Sequence, residues 1–354
     1  MKIKKSIFGK LNDNSEAYLY TLTSGKGMSV SVTNYGALIT SIKVPDKSGC
    51  ISDVVLGFNN LDGYLSEAYL KGYPYFGATI GRYSNRIARG RITVNGQEYQ
   101  LSQNEGEKTL HGGSLGFDRK LWEAEISEDQ DNPSVIMRLM SPDGDQGFPG
   151  NLSVEVAFSL TDENNLIIEY KGESDKDTVI SLTNHSYFNL KGEGEGPVLD
   201  HSLLIPADKY LELTGEFLPS GRILDVSGTS LDFTEAAKIR DAMKKPGNFQ
   251  DLGGYAHTWA LDKKDNELCH AATLSEEETG RVLEIYTTEP GILFYEGGGL
   301  DGSIVGKSGK PYPKYGGLCL ETQRFPDPTN HPDFPSAVLK AGEIFQSKTE
   351  YNFR

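Results

Sequence analysis

The chain has 354 residues, and its 35 Lys and Arg against 50 Asp and Glu give a formal net charge of −15 at pH 7. This acidic balance argues against a nucleic-acid partner and against an anionic membrane surface, because both are bound by basic faces. A hydrophobic fraction of 37% excludes a disordered chain, and 3 cysteines without a CxxC pair argue against a disulfide framework or a thiolate zinc site.

Apolar and polar residues alternate through most of the chain, which is the pattern of strands with one buried face. Between residues 152 and 160, for example, Leu152, Val154, Val156, Phe158 and Leu160 share one face. Strands are likewise predicted at 18–24, 28–32, 38–44, 51–58, 121–128, 134–141, 165–173, 178–188, 201–213, 281–289, 291–296, 317–325 and 343–353. Segment 91–101 is a predicted hairpin, because Asn95-Gly96 suits a two-residue type I′ turn.

Helix is scarce in the pattern. Residues 234–245 are rich in Ala, Lys and Glu and precede Pro246-Gly247, which predicts one helix, and short helical turns are expected around 60–70. Many strands with few crossover helices imply antiparallel pairing. We therefore predict an all-β fold, a large antiparallel β-sandwich with very little helix, as one domain over residues 1–354. A propeller is the alternative, but its repeat of about 40–50 residues is absent.

The N-terminal segment has basic residues but no apolar stretch typical of a signal peptide behind them. No run of about 18 apolar residues occurs that would predict a membrane span. The expected compartment is therefore the cytoplasm, although a chain whose export signal had been removed would give the same pattern.

One predicted strand carries an unusual polar face. Within 178–190, Ser181, Thr183, His185 and Tyr187 alternate with apolar residues and share one side. A hydroxyl-rich ligand would be bound by such a polar and aromatic face, although a solvated sheet surface has the same pattern. Of the other histidines, His201, His270 and His331 are expected to be surface or hydrogen-bonded residues, and no close pair predicts a metal site.

Three further segments contain candidate site residues. Glu321 lies in an otherwise apolar strand, where a carboxylate is paired, at an edge, or functional with a raised pKa. His111 precedes Gly112-Gly113, where the backbone can approach a ligand closely. Residues 81–87 contain Arg82, Asn85 and Arg86, and the alternative for each arginine is an ion pair with one of the many carboxylates.

Five segments, taken together and in this order, resemble the aldose 1-epimerase (galactose mutarotase) family. They are GRYSNRI at 81–87, LHGG with GFD and Trp122 at 110–122, SPDG with GFPG at 141–150, TNHSYFNL at 183–190 and LETQRFPD at 320–327. The likeness runs from about residue 28 to the C-terminus. It implies the galactose mutarotase-like supersandwich fold and interconversion of the α and β anomers of a free aldose without a cofactor.

The resemblance also implies roles for individual residues. Glu321 is similar to the family's base, which takes the proton of the C1 hydroxyl, and His185 is similar to its acid, which protonates the ring oxygen. Arg86 and His111 match residues that hold the sugar and stabilise charge at the ring oxygen. Asn85 is expected to bind a hydroxyl beside them, and Tyr187 shares the face of His185.

The chain departs from the family pattern at two sugar-binding positions. Ala256 stands where the family has an aspartate, and Leu293 stands where it has a glutamine. Glu296 replaces a threonine nearby and is a candidate substitute acceptor. We therefore expect a mutarotase whose preferred aldose differs from galactose, since a lost buried hydroxyl contact costs about 0.5–1.5 kcal/mol.

Three other functions fit the same segments less well. One is a catalytically inactive sugar-binding protein on the same sandwich, against which the retained His185 and Glu321 argue. A carbohydrate-active hydrolase or lyase is another, and a hydrolase would need a carboxylate pair such as Glu321 with Glu296. A sugar-phosphate epimerase would need a cationic cluster beyond Arg82 and Arg86. The expected partner is a small-molecule aldose, and the chain is expected to be a monomer or homodimer.

Overall fold

A computed structural model describes residues 2–127, 133–247, 252–264 and 266–354. Strands dominate this part of the chain, and its α-helices are short: α1 (Leu61–Tyr64), α2 (Glu67–Gly72) and α3 (Ile239–Ala242). None of the described helices is long and apolar enough to cross a membrane.

The described strands, in chain order, are β1 (Lys2–Lys10), β2 (Glu16–Thr23), β3 (Ser29–Thr33), β4 (Leu38–Pro45), β5 (Ile51–Asp53), β6 (Ala78–Ile80), β7 (Arg86–Ile87), β8 (Arg91–Val94), β9 (Gln97–Gln100), β10 (Thr109–Leu110), β11 (Glu123–Ser127), β12 (Ser134–Ser141), β13 (Leu152–Leu160), β14 (Asn165–Ser174), β15 (Thr178–Val179), β16 (Thr183–His185), β17 (Tyr187–Phe188), β18 (Ser202–Leu204), β19 (Lys209–Leu213), β20 (Pro219–Asp225), β21 (Ala237–Lys238), β22 (Ala256–Ala260), β23 (Cys269–Ser275), β24 (Val282–Thr287), β25 (Gly291–Tyr295), β26 (Leu318–Gln323), β27 (Val338–Leu339) and β28 (Ile344–Phe353).

Three large antiparallel sheets form the body of the fold. The first is the five-stranded meander β1 to β5, the second has nine strands in the order β11-β12-β13-β14-β28-β24-β23-β18-β21, and the third has six in the order β17-β26-β25-β22-β19-β20. One apolar cluster contains fully buried side chains of all three, such as Val30, Val156 and Phe294. The sheets therefore pack on a shared core, and the predicted antiparallel β-sandwich is confirmed.

The hairpin prediction is confirmed by strands β8 and β9. Asn95 and Gly96 both have positive φ, 51° and 78°, as a type I′ turn requires. Helices α1 and α2 lie where short helical turns were expected. The N-terminal strand β1 was not predicted, because Phe8 is its only buried side chain and the strand has no alternation to detect. Strands β20, β22 and β23 were missed as well.

The predicted helix at 234–245 is wrong over most of its length. Ala237 and Lys238 instead pair with β18, and only the turn Ile239–Ala242 is helical. The backbone N–H of Ile239 donates to the carbonyl of His201 at 3.1 Å, which ties the segment to the neighbouring sheet. Tertiary pairing thus overrides the favourable helix propensity of these residues.

Two long predicted strands are interrupted. Segment 178–188 divides into β15, β16 and β17, and segment 201–213 divides into β18 and β19. The strand predicted at 121–128 corresponds to β11, and its last position lies outside the described residues. The first interruption matters for function, because β16 pairs with β6 whereas β17 pairs with β26. The chain changes partner strand immediately after His185.

Candidate active site

A cavity of about 430 Å³ opens beside strands β26, β25 and β22. The site residues predicted from the sequence all line it, together with Ala256 and Leu293. The predicted residues are Asn85, Arg86, His111, His185, Tyr187, Glu296 and Glu321. The fold thus brings together side chains that are more than 230 positions apart in the chain.

His185 reaches the cavity because the backbone bends directly after it. Asn184 holds this bend, since its side-chain oxygen accepts from the N–H of Ser186 at 3.1 Å and its amide donates to the carbonyl of Gly77 at 2.8 Å. The ring of Tyr187 stacks on that of His185, with centroids 5.3 Å apart. Ser181, which shared the predicted polar face, instead bonds Ser84 at 2.7 Å and does not line the cavity. The prediction that one uniform polar face runs along 178–188 is therefore wrong. Of that face, only His185 and Tyr187 line the cavity.

Glu321 lies in the middle of β26, where every residue is buried. Its Oε1 atom is 3.5 Å from Nε2 of His185, whereas its Oε2 atom is buried without a hydrogen-bond partner. Burial raises the pKa of Glu321 to about 8, and the nearby positive charge of Arg86 opposes this shift. Burial also lowers the pKa of His185 to about 4.

The His185–Glu321 pair therefore holds one titratable proton at neutral pH, in addition to the N–H that a neutral imidazole always carries. A carboxyl group with a pKa of about 8 keeps its proton there, and an imidazole with a pKa of about 4 takes up none. Transfer of this proton from Glu321 to His185 leaves the number of titratable protons on the pair unchanged. The pair can thus accept one proton and donate another without exchange with solvent.

His111 is a hydrogen-bond donor to the cavity. Its Nδ1 atom accepts the backbone N–H of Asn85 at 3.1 Å, so in the neutral ring Nε2 carries the proton. Burial lowers the pKa of His111 and keeps the ring neutral. One polar atom each of His111, His185 and Glu321 lies within 4.8 Å of the other two, a spacing that would suit a metal ion. The protonated Nε2 of His111 favours a ligand oxygen there instead, because a metal needs a free lone pair.

Arg86 lines the cavity as a member of an ion pair. Its guanidinium donates to both carboxylate oxygens of Glu105, at 2.7 and 2.8 Å, and lies 5.3 Å from the ring centroid of Phe217. The ion pair considered for this arginine is therefore present. Asn85 accepts the N–H of Arg86 through its side-chain oxygen at 2.8 Å, and its amide nitrogen remains a donor for a ligand.

Glu296 forms part of the opposite wall. Its Oε2 atom accepts the backbone N–H of Tyr255 at 2.9 Å, and the residue is only 1% exposed. Burial raises the pKa of its carboxyl group to about 7. The cavity thus contains two buried carboxyl groups, Glu321 and Glu296, on neighbouring parts of the six-stranded sheet.

Comparison with known proteins decides the family. The model of the family described as aldose 1-epimerase matches residues 18–352. The chain belongs to the aldose 1-epimerase family. Galactose mutarotase of Rattus norvegicus is 39% identical over 354 residues, which cover 100% of this chain and 99% of that protein. Aldose 1-epimerase of Escherichia coli K12 is 37% identical over 343 residues, which cover 96% of each.

A solved structure supports the same assignment. The crystal structure of galactose 1-epimerase from Lactobacillus acidophilus matches with a TM-score of 0.85 and 28% identity, covering 100% of this chain and 98% of that one. The chain thus shares the fold of the aldose 1-epimerases, and the family's enzymes are isomerases.

Tyr75 is a cavity residue of this family member that the sequence reasoning missed. Its ring stacks on His185 with centroids 5.8 Å apart and meets His111 edge-on at 4.8 Å. Tyr75, Asn85 and His111 have φ values of 59°, 66° and 52°, and such left-handed non-glycine residues concentrate at functional sites. In the sequence, only the aromatic cluster Tyr73-Pro74-Tyr75 could have indicated Tyr75 as a cavity residue. Nothing in that cluster indicates a contact with histidines.

Arg82 lies outside the cavity, although it shares a family motif with Arg86. It is fully buried, and its guanidinium donates to the carbonyls of Ser141, Pro142, Pro149 and Gly150 at 2.7 to 2.8 Å. Arg82 therefore holds together the two ends of the loop that connects β12 to β13. The ion pair considered for it is wrong, since its hydrogen-bond partners are these carbonyls and the Ser141 hydroxyl, all of which are neutral.

Proposed function

We propose that the chain interconverts the α and β anomers of a free aldose, with Glu321 as the base and His185 as the acid. The observation that carries this proposal is the 3.5 Å contact between Nε2 of His185 and Oε1 of Glu321, both of which are buried beside the cavity. Acid–base catalysis is most effective when the catalytic groups exchange protons near the working pH. The family assignment supports the same reaction type.

The reaction begins with the pair's proton on His185. Glu321 takes the proton of the C1 hydroxyl while His185 donates its own to the ring oxygen. The C1–O5 bond breaks, and an open-chain aldehyde forms. Rotation about the C1–C2 bond presents the other face of the aldehyde. The C5 hydroxyl then attacks C1, His185 recovers its proton from that hydroxyl, and Glu321 returns a proton to O1.

The other cavity residues hold the sugar for this exchange. His111 donates through Nε2, and Arg86 supplies positive charge near the ring oxygen as its bond to C1 breaks. The amide of Asn85 and the ring of Tyr187 bind a hydroxyl and a face of the sugar. Such fixed donors lower the barrier because they are already oriented when the charge develops.

The alternative functions gain no support. The relatives described above are named as mutarotases or epimerases, which favours neither a hydrolase nor an inactive binding protein. A sugar phosphate is disfavoured because Arg86 is already paired with Glu105, and Arg82 binds backbone carbonyls elsewhere. Lys314 lines the cavity only as an exposed residue of its rim.

Polarimetry of freshly dissolved α-anomers tests the proposal. We expect the rotation of at least one aldose in a panel of pentoses, hexoses and deoxyhexoses to relax with a rate constant proportional to enzyme concentration. The final rotation should equal that of the uncatalysed solution, because a mutarotase leaves the equilibrium unchanged. A changed endpoint would indicate a different reaction, and no acceleration with any sugar would refute the proposal.

The pH dependence of kcat/KM should follow the proton count of the pair. Above about pH 8 Glu321 is ionised while His185 stays neutral, so the pair has lost the titratable proton that His185 would give to the ring oxygen. Below about pH 4 a second proton occupies the base. We therefore expect a plateau between these values and a decline of about tenfold per pH unit beyond each. Initial rates corrected for buffer catalysis measure it, and a rate that stays level from pH 7 to 10 would contradict the assignment.

A further inference from the structure

The wall beside Glu321 carries apolar side chains at two positions that face the cavity. In the pairing of β25 with β26, Leu293 lies directly opposite Glu321. In the next strand, Ala256 lies opposite Tyr295. Residues opposite one another in an antiparallel pair point to the same face, so Leu293 and Ala256 follow Glu321 across the sheet. Neither side chain offers a hydrogen bond to a sugar hydroxyl.

Glu296 is the buried carboxyl group next to this apolar wall. The chain leaves β25 at Tyr295, and the Glu296 carboxylate folds back toward β22, where the N–H of Tyr255 fixes its Oε2 atom. The other oxygen lies between two glycines. A Cβ atom at Gly254 or at Gly298 would stand 2.6 Å from Oε1, closer than such contacts occur. Both glycines line the cavity, and their bare backbone leaves space for Oε1 at the cavity surface.

We propose that Glu296 selects the sugar by accepting one hydroxyl of the aldose through Oε1, while Leu293 and Ala256 meet an edge of the sugar that carries only C–H or methyl groups. This inference rests on the proposed function, because it concerns the sugar bound for that reaction. The expected substrates are aldoses that lack a hydroxyl on one edge, and deoxy-aldoses are the foremost among them.

The physical reason is the difference between paired and unpaired polar groups. A buried hydroxyl against Leu293 loses its water and gains no partner, whereas a C–H or methyl group there loses nothing. A hydroxyl that donates to a carboxylate makes a strong, charge-assisted bond. The same wall therefore weakens binding of a sugar with a hydroxyl next to Leu293 and strengthens binding of a sugar with a hydroxyl next to Glu296.

A deoxy-sugar scan combined with variants of Glu296 tests the inference. The probes are the parent hexose and its 2-, 3-, 4- and 6-deoxy analogues, with kcat and KM measured for each by polarimetry. In the wild type we expect removal of one hydroxyl to lower kcat/KM by about tenfold or more, since that sugar leaves the Glu296 carboxylate unpaired. Removal of a different hydroxyl, the one facing Leu293, should leave kcat/KM unchanged or raise it.

The variant Glu296→Met is similar in size and accepts no hydrogen bond. In it, the tenfold penalty for the analogue that lacks the selected hydroxyl should fall to about threefold or less, with most of the loss appearing in KM. Glu296→Gln keeps a polar group and an acceptor for the Tyr255 N–H, so it should give intermediate values. Leu293→Gln should reverse the preference for the analogue that lacks the hydroxyl facing residue 293. This variant should have a higher kcat/KM for the fully hydroxylated sugar.

The outcomes separate this inference from the proposed function. Equal deoxy penalties in the wild type and in both Glu296 variants would overturn the role of Glu296. An unchanged preference in Leu293→Gln would overturn the apolar edge. If the wild type equilibrates none of the sugars, the proposed function itself fails. A thermal denaturation curve for each variant shows whether it is folded, and Glu296→Gln remains informative if Glu296→Met is unstable.

Discussion

Replacing Glu321 with glutamine should lower kcat for anomer equilibration by about 10²- to 10⁴-fold, the usual contribution of a general base. The amide fills the same space in β26 and still lies beside His185, but it accepts no proton from the C1 hydroxyl. KM should change much less than kcat, because the donors on His111 and Asn85 remain in place. Polarimetry at pH 7 with saturating sugar measures the effect.

The same variant should be more stable than the wild type at pH 8. Burial raises the pKa of Glu321 from 4.5 to about 8, so the folded state binds a proton that the unfolded state has lost. The wild type therefore loses stability as the pH rises from 4.5 toward 8, and the Glu321→Gln variant is free of this loss because its amide does not titrate. Since one pKa unit corresponds to about 1.4 kcal/mol, the gain at pH 8 should exceed that amount in urea unfolding.

Glu289→Gln is the matched control. Glu289 is also buried, has a raised pKa and an unpartnered Oε2 atom, but does not line the cavity. It should keep the wild-type rate. If Glu321→Gln keeps a rate within tenfold of the wild type, Glu321 is not the base. Equal losses in both variants would mean that buried carboxylates act through the fold rather than through the reaction.

The sequence predicted the cavity residues better than the strands that hold them. Alternation identified β13, β14 and β28 because each has one buried face. The alternation did not predict the interruption between β16 and β17, because the side-chain hydrogen bonds of Asn184 determine the backbone path there. His185 and Glu321 stood out because polar residues inside apolar strands are costly unless they have a purpose.

What the sequence could not predict depends on contacts across the chain. The stacking of Tyr75 on His185 and the pairing of Leu293 with Glu321 join segments that are far apart in the chain, and neither leaves a local pattern. Arg82 and Arg86 look equivalent in the GRYSNRI segment. Only the fold separates them, since carbonyls of the single loop 141–150 bind Arg82, whereas Glu105 forms an ion pair with Arg86.

His185→Gln should lower kcat by about 10²- to 10⁴-fold as well, because the ring oxygen then leaves C1 without a proton donor. It should also change the pH profile in a way that a structural defect would not. The decline below about pH 4 reflects the second proton on the pair, which His185 takes up. Without the imidazole this acid limb should shift or vanish, whereas the residual activity still depends on the state of Glu321.

His201→Gln is the matched control, because His201 is a buried histidine with a similar pKa that lies outside the cavity. Burial lowers the pKa of His201 to about 4, as it does for His185, and its Nε2 atom accepts the N–H of Leu190 at 2.9 Å. A glutamine oxygen can accept the same bond, and His201 does not line the cavity. We expect the wild-type rate and pH profile in this variant. A profile of His185→Gln that keeps its acid limb would assign that limb to another group. Since the two histidines share burial and pKa, a loss confined to His185→Gln comes from its place beside Glu321.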